Sequence, residues 1–294
     1  MKILYIGVHC HIGWGAEYWL KKAFLNLHLD VETIDYRKER KNLSKLQELI
    51  YKKSKNCNII FLQRGDNLEP RLFSNITKPI IFWSTEPIQL KNDVDKLLYS
   101  NIFSWVYVHS YSCLERINSA FQHLINKTSI MHNAAPNSKI NFKESKNIFA
   151  IFNRNLSFRR KIWLLPSGKI IKKIKGKYGD EYFADLQRSI IAVNIHYSNK
   201  NLDDFESGIF EAMASGCIVI SEKLYSQTLI DLEMQDAIIQ VNTPFDLKNK
   251  LKLLKNDSSL IEKYLERSKK AIQKNTWDNR AKEINKKIIS ICNE

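Results

Sequence analysis

Glu206-Ser-Gly-Ile-Phe-Glu211 gathers two carboxylates, a hydroxyl and a flexible glycine where the flanking residues predict the start of a helix. Ile190, Ile191, Ala192, Val193 and Ile195 predict a buried strand before it. Gly216 stops a helix of small residues, and Cys217-Ile-Val-Ile220 predicts the next strand. That order places the loop and the helix start at the C-terminal edge of a parallel sheet, where open α/β folds bind ligands. Backbone N–H groups at Glu206, Ser207, Gly208 and Ile209 have no partner inside such a helix and suit a phosphate. Glu211, one turn further in, suits the hydroxyls of a ribose. The combination describes a site for a nucleotide that carries a sugar. A well-packed helix with a glycine cap and a solvated acid would use the same residues.

Glu211-Ala-Met-Ala-Ser-Gly216 and the apolar strand after it resemble the donor-binding motif of GT-B glycosyltransferases. In the large retaining family the pattern is Glu-x7-Glu followed by Ala-Met-Ala-x-Gly. Here Asp203, an acid but not Glu, stands eight residues before Glu211. The shorter Phe-Glu-Ala-x-Ala-x-Gly pattern of the spore-maturation-type glycosyltransferases fits at least as well. The resemblance is specific within residues 194–220, while the order of parts matches along the whole chain. It implies an α/β protein of two Rossmann-like domains, their parallel sheets facing a central cleft. It further implies transfer of a hexose from a nucleotide-sugar donor to an acceptor hydroxyl, retaining and independent of metal or other cofactor. The acceptor would be a glycan, a lipid-linked sugar or another hydroxyl compound, as in surface polysaccharide or glycolipid synthesis. A non-catalytic nucleotide-sugar-binding subunit of a glycosyltransferase complex is the alternative that Asp203 keeps open.

Other residues offer chemistry at predicted strand ends. Gly13-Trp-Gly15-Ala-Glu17 follows the first strand and opens the first helix, so its backbone could approach a diphosphate or sugar. It resembles the glycine loop of GT-B enzymes, although a tight strand-to-helix turn needs the same glycines. His9-Cys10-His11 does not suit a metal, because neighbours in extended chain point to opposite faces. His11 is instead expected to face the cleft. Asp93-Val-Asp95 has the lettering of an Asp-x-Asp metal motif but precedes a helical pattern, and reads as a solvated helix start. Glu86, in Trp83-Ser-Thr-Glu86-Pro, could serve as a general base or bind acceptor hydroxyls, and equally could cap a helix. His109 ends another strand and could touch the sugar. Arg159-Arg160-Lys161 follows the strand ending at Asn153, where GT-B enzymes set cations against the donor diphosphate. Asn153 and these three residues are therefore expected to bind donor, with Arg160 also stabilising the leaving group. Glu86 or His11 would be the base of an inverting reaction.

The elements that must position these residues follow from composition and periodicity. The chain has 294 residues, 44% apolar and 11% aromatic, which fits a globular protein with one large core or two ordinary ones. Five cysteines without Cys-x-x-Cys spacing predict reduced thiols and a cytoplasmic protein. The apolar run at the start is too short for a signal peptide, and no run approaches a membrane span. A net charge of +15 raises nucleic acid or a membrane surface as partner. Lysines are scattered, however, and the densest run, Lys169 to Lys177, contains no aromatic residue to stack on bases. Binding of an anionic donor, and peripheral contact with acidic lipids at the inner face of the membrane, are expected; nucleic acid is not.

Strands are predicted at 2–8, 31–34, 58–62, 80–83, 105–109 and 130–132, with helices at 16–27, 43–52 and 114–121. Turn-rich Ala135-Pro-Asn-Ser-Lys-Ile-Asn141 reads as a hinge. A second series has strands at 147–152, 170–174, 190–195, 217–220 and 237–241, and helices at 246–254, 259–274 and 277–291. Alternation of strands and helices predicts right-handed βαβ units. The expected division is an acceptor-side domain at 1–138, a nucleotide-sugar-binding domain at 139–276, and a helix at 277–294 crossing back to the first.

Overall fold

The computed structural model describes residues 1–39, 41–142, 145–174, 177–197 and 205–293. Its contacts divide the chain into two compact units, Met1–His132 with Asp278–Glu294, and Asn133–Trp277.

The first unit carries a six-stranded sheet built from β1 (Lys2–Gly7), β2 (Asp30–Asp35), β3 (Ile59–Gln63), β4 (Ile80–Ser84), β5 (Trp105–Val108) and β6 (Thr128–Ile130). Strand order is β2-β1-β3-β4-β5-β6, with every pair parallel. β3 and β4 are buried along their whole length, as their apolar runs require in a sheet covered on both faces. The covering helices are α1 (Ala16–Asn26), α2 (Tyr36–Glu39), α3 (Leu43–Ser54) and α4 (Tyr111–Ala120). Asn42 starts α3 by accepting from the Lys45 N–H, and Ser110 starts α4 by accepting from the Cys113 N–H. β6 begins two residues before the expected 130–132, because Thr128–Ile130 is the stretch in register with Val106–Val108.

The second unit carries β7 (Ile148–Phe152), β8 (Ile171–Lys173), β9 (Ser189–Asn194), β10 (Ile218–Glu222) and β11 (Ile238–Val241). Their order is β11-β10-β9-β7-β8, again all parallel. The helices are α5 (Phe158–Leu164), α6 (Gly179–Gln187), α7 (Ser207–Ala214), α8 (Ser226–Asp231), α9 (Pro244–Asn256) and α10 (Ser258–Lys274). α5, α6 and α8 were not among the elements expected from periodicity. Gly216, at φ +73°, ends α7 in the left-handed conformation that glycine adopts freely. Ile209, Phe210, Ala212 and Met213 of α7 are buried in one core cluster with Phe205, Cys217 and Val219. The α7 motif is thus as much packing as site.

α11 (Trp277–Asn293) buries Ala281, Ile284 and Ile288 at helical spacing and belongs to the first unit from Asp278 onward. Lys287 Nζ sits 3.5 Å over the Trp105 ring, and Arg280 Nε donates to the His132 carbonyl at 3.1 Å. No helix among the described residues is long and apolar enough to cross a membrane.

Candidate functional site

In the second sheet β8 lies on one side of β7 and β9 on the other, so the strand order reverses between β7 and β9. The loops after the carboxyl ends of those two strands border the crevice where such sheets bind ligands. One loop supplies Asn153, Arg154 and Asn155; the other leads through Ile195, His196 and Tyr197 toward α7. Glu206 is the N-cap of α7, without a side-chain capping bond, and the Ile209 N–H donates back to its carbonyl at 3.0 Å.

Arg154 lies across this helix start. A Cβ built on Gly208 would stand 0.9 Å from Arg154 Nη2 and 2.0 Å from its Cζ. Only a residue without a side chain leaves that space to the guanidinium. Arg154 Nη1 is 3.7 Å from Glu206 Oε2, and Arg160 Nη2 is 3.3 Å from Glu206 Oε1, so Glu206 stands between two arginines. Arg160 is buried and spends its fork on protein: Nε donates to the Ile195 carbonyl at 2.8 Å, and Nη1 to the Asn155 carbonyl at 3.1 Å. Burial lowers its pKa, with the Glu206 charge opposing that shift. Its guanidinium also lies 5.5 Å from the centre of the largely exposed Tyr197 ring.

The Glu211 carboxylate is half-buried and accepts a hydrogen bond from the Tyr182 hydroxyl of α6 at 3.0 Å. Burial lifts the Glu211 pKa above the usual carboxylate range, while the Arg154 charge and the Tyr182 bond pull it down. Burial, then the Glu211 charge, raises the Tyr182 phenol.

The expected trio Arg159-Arg160-Lys161 is not brought together, because successive helical residues step about 100° around α5. Arg159 forks onto Glu222 at the end of β10 and donates to the His196 carbonyl at 3.0 Å. Lys161 is exposed. Arg160 alone reaches the start of α7, and Arg154 occupies the second cationic position. Arg154 was missed in the sequence, although it stands two residues past a strand's end, where a cation at a ligand crevice belongs. Tyr182 was missed because α6 was. Ser207 is half-buried at the helix start; Ile209 is wholly buried, leaving its backbone for any ligand contact. Asp203 lies outside the described residues.

The first sheet reverses between β1 and β3. Gly13 (φ +77°) and Gly15 (φ +87°) sit there in left-handed backbone, and Gly15 is the N-cap of α1. His11 stacks on Trp14 with centroids 3.8 Å apart and its ring also meets the face of Gly15. After β3, Arg64 holds φ +72°, a strained conformation for a side-chain-bearing residue. Arg64 Nε is 3.1 Å from the buried Glu17 carboxylate, and Nη1 is 2.7 Å from Glu86, which is exposed. Burial opposes the charge on Arg64, but the two glutamates outweigh it and raise its pKa.

Arg37, Arg64, Asp66, Ser84, Glu86 and Asp95 are among the residues lining a pocket of about 340 Å³ at this sheet edge. Arg37 Nη2 donates to both Asp66 oxygens, at 2.9 and 3.0 Å, and the Tyr36 hydroxyl donates to the same carboxylate. Burial acts to raise the Asp66 pKa, yet those bonds hold it below its ordinary value. Asp95 accepts from the Gln89 and Lys91 N–H groups and stands just before a short 3-10 turn, Lys96–Tyr99, without a side-chain bond to it. His109 is buried 3.9 Å from the Cys113 sulfur, at the start of α4. Among the described residues no three His, Cys, Asp or Glu side chains are grouped to hold a metal ion.

Residues 157–286 match the family described as glycosyl transferase-like. No curated relative matches the chain by sequence. Among solved structures, an α-glucosyltransferase in complex with UDP-glucose and DNA containing an abasic site is similar at 13% identity, covering 99% of both chains, TM-score 0.68. A glycosyltransferase from Rickettsia africae is similar at 12% identity over 98% of both chains, TM-score 0.68. Anabaena HepE in complex with UDP-glucose is similar at 13% identity, covering 99% of this chain and 100% of that one, TM-score 0.65. Residues 157–286 are thus similar to the glycosyl transferase-like family, and the chain as a whole has the GT-B fold.

Proposed function

We propose that the protein transfers a sugar from a UDP-sugar, UDP-glucose in the first instance, to a hydroxyl of a glycan or lipid-linked sugar. The observation that carries this reading is the pair Arg154 and Arg160 flanking Glu206 at the start of α7, with Glu211 one turn inside. UDP-glucose is the donor bound in two of the similar structures. As the anomeric C–O bond to the diphosphate breaks, the electron pair passes to the departing phosphate oxygen. Arg154, with the helix N-terminus and Arg160 behind it, would stabilise that charge without a metal ion. Glu211 would accept hydrogen bonds from the ribose, and the exposed Tyr197 ring would receive the base. In a retaining reaction the donor phosphate itself takes the acceptor proton. In an inverting one, Glu86 or His11 is the base.

The pocket of the first unit favours a neutral, hydroxyl-rich acceptor. Both of its arginines are already matched by carboxylates, Arg37 by Asp66 and Arg64 by Glu17 and Glu86. It therefore offers paired donors and acceptors to hydroxyls rather than surplus positive charge to phosphates. The similarity to a DNA-bound glucosyltransferase and the net charge of +15 favour a second acceptor, DNA.

Calorimetry with UDP, GDP and dTDP, with and without EDTA, tests the donor site; affinity that vanishes with EDTA for all three sinks the metal-free reading. Release of UDP from UDP-glucose then separates an enzyme from a pure donor binder, which releases none. NMR of the product anomer assigns stereochemistry. Incorporation into duplex DNA and not into a glycan panel would replace the proposed acceptor.

A further inference from the structure

We propose that the outer face of α5 is a docking surface for an anionic lipid bilayer. This inference concerns α5 and the strand after it, and stands whatever reaction the protein catalyses.

Phe158, Ile162 and Leu165 are 80%, 49% and 74% exposed. At about 100° per residue they fall within a sector of roughly 60° on one side of the helix. Arg160, Trp163 and Leu164 are buried on the other side. Three large apolar side chains so aligned form a stripe rather than scattered surface residues. Lys161 is exposed beside it, Lys169 is exposed on the following turn, and Lys173 is exposed on β8, the edge strand of the second sheet. Lys173 lies on the same face as Ile171, which packs with Trp163 and Leu164 of α5; Lys172 points to the opposite face.

The sign of the charge selects the partner. Between Ser145 and Gly179 the sequence has no aspartate or glutamate against ten lysines and arginines, of which Arg154, Arg159, Arg160 and Lys177 pair with Glu206, Glu222 and Asp185 from other segments. α10, by contrast, sets Glu262 and Glu266 among Lys263, Lys269 and Lys270. An apolar stripe bordered by uncompensated lysines fits a surface that is apolar below and anionic above, which is a bilayer containing acidic headgroups. At seven residues, α5 can lie in that interface but cannot cross it. Its inner face meanwhile keeps Arg160 on Glu206, so docking leaves those donor-site bonds intact.

Co-sedimentation with phosphatidylcholine vesicles, with and without phosphatidylglycerol, tests the proposal. The wild-type chain is expected to bind the phosphatidylglycerol vesicles strongly and the others weakly. Phe158→Ser with Leu165→Ser should lower partitioning about tenfold or more. Lys169→Gln and Lys173→Gln should each cost roughly fivefold, and Lys172→Gln, on the other face of the sheet, clearly less. Lys263→Gln, Lys269→Gln and Lys270→Gln make the same change of net charge on α10 and should leave binding nearly unaltered. Circular dichroism checks the fold of each variant. Should the serine variant unfold, Phe158→Trp gives a second readout: brominated lipid should quench it more than the parent. Absent wild-type binding, an equal loss in the α10 variant, or no extra quenching of Phe158→Trp overturns the proposal.

Discussion

The Arg154 guanidinium fills the place that a side chain on Gly208 would take, 0.9 Å from the ideal Cβ position. Gly208→Ala must therefore displace Arg154. The helix should tolerate the change, since alanine favours helix and the obstructing atoms are the far end of a flexible side chain. The expected result is a fold as stable as wild type whose UDP affinity drops roughly ten- to a hundredfold, about one charge-assisted contact. Calorimetry on Gly208→Ala, Arg154→Ala and the double variant checks this. If the two changes remove one interaction, the double variant binds no worse than Arg154→Ala. Wild-type affinity in Gly208→Ala would remove Arg154 from the donor site.

Tyr182 aims the Glu211 carboxylate by donating to Oε2 at 3.0 Å. If Glu211 grips ribose, Glu211→Ala should weaken UDP binding by about one to three orders of magnitude, from two bonds to a charged acceptor. Tyr182→Phe keeps the acceptor but loosens it, and should cost less, roughly three- to tenfold. A 2′-deoxy donor should bind wild type more weakly than the natural donor, yet lose little more with Glu211→Ala. Equal affinities across that cycle, with folding intact, would leave Glu211 outside the site.

Central strands such as β3, β4 and β10 were legible because each is a short apolar run between polar breaks, buried on both faces of a parallel sheet. α7 was legible from its small residues and Gly216. α5 and α8 were not, being seven and six residues long, too short for a helical period to stand out. The donor site was legible only in part for a related reason. Position in sequence singled out Arg159, Arg160 and Lys161, but helical geometry sends them to Glu222, to Glu206 and to the surface. Arg154 and Tyr182 gain their roles from Gly208 and Glu211, distant along the chain, and no local pattern announces such a contact.

Arg160 is buried, whereas Arg154 is only half-buried. The Arg160 fork joins the Ile195 and Asn155 carbonyls and Glu206 from a buried position. Arg160→Lys keeps the charge but can satisfy about one of those acceptors, leaving others buried and unpaired. A loss of about 2–4 kcal/mol is expected. Arg154→Lys should change stability less, because its half-buried guanidinium leaves water to replace a lost contact. Thermal melts of both variants without nucleotide decide the matter; equal melting temperatures would mean that the buried fork contributes no stability.

Asp185 supplies a pH dependence with a definite sign. It is buried, with Lys177 Nζ at 2.9 Å and Arg188 Nη2 at 2.7 Å. Burial acts to raise its pKa, but the two cations outweigh burial and hold it below its ordinary value. A carboxylate depressed in the folded state binds fewer protons there than in the unfolded chain. Its contribution is therefore fully present above the unfolded value of about 3.9 and lost as pH falls through the lower folded value. Glu211 runs the other way, since its raised pKa removes stability as pH climbs above the unfolded carboxylate range. The two effects separate by difference. Asp185→Asn should be destabilising by about 1–3 kcal/mol near neutrality, where wild type keeps the charged contacts. Below about pH 4 that gap should narrow, as wild type protonates and loses the same contacts. Urea unfolding of both proteins at several pH values measures the gap directly. A gap that stays constant from neutral to acid pH would show that the Asp185 charge is not what holds Lys177 and Arg188 in place.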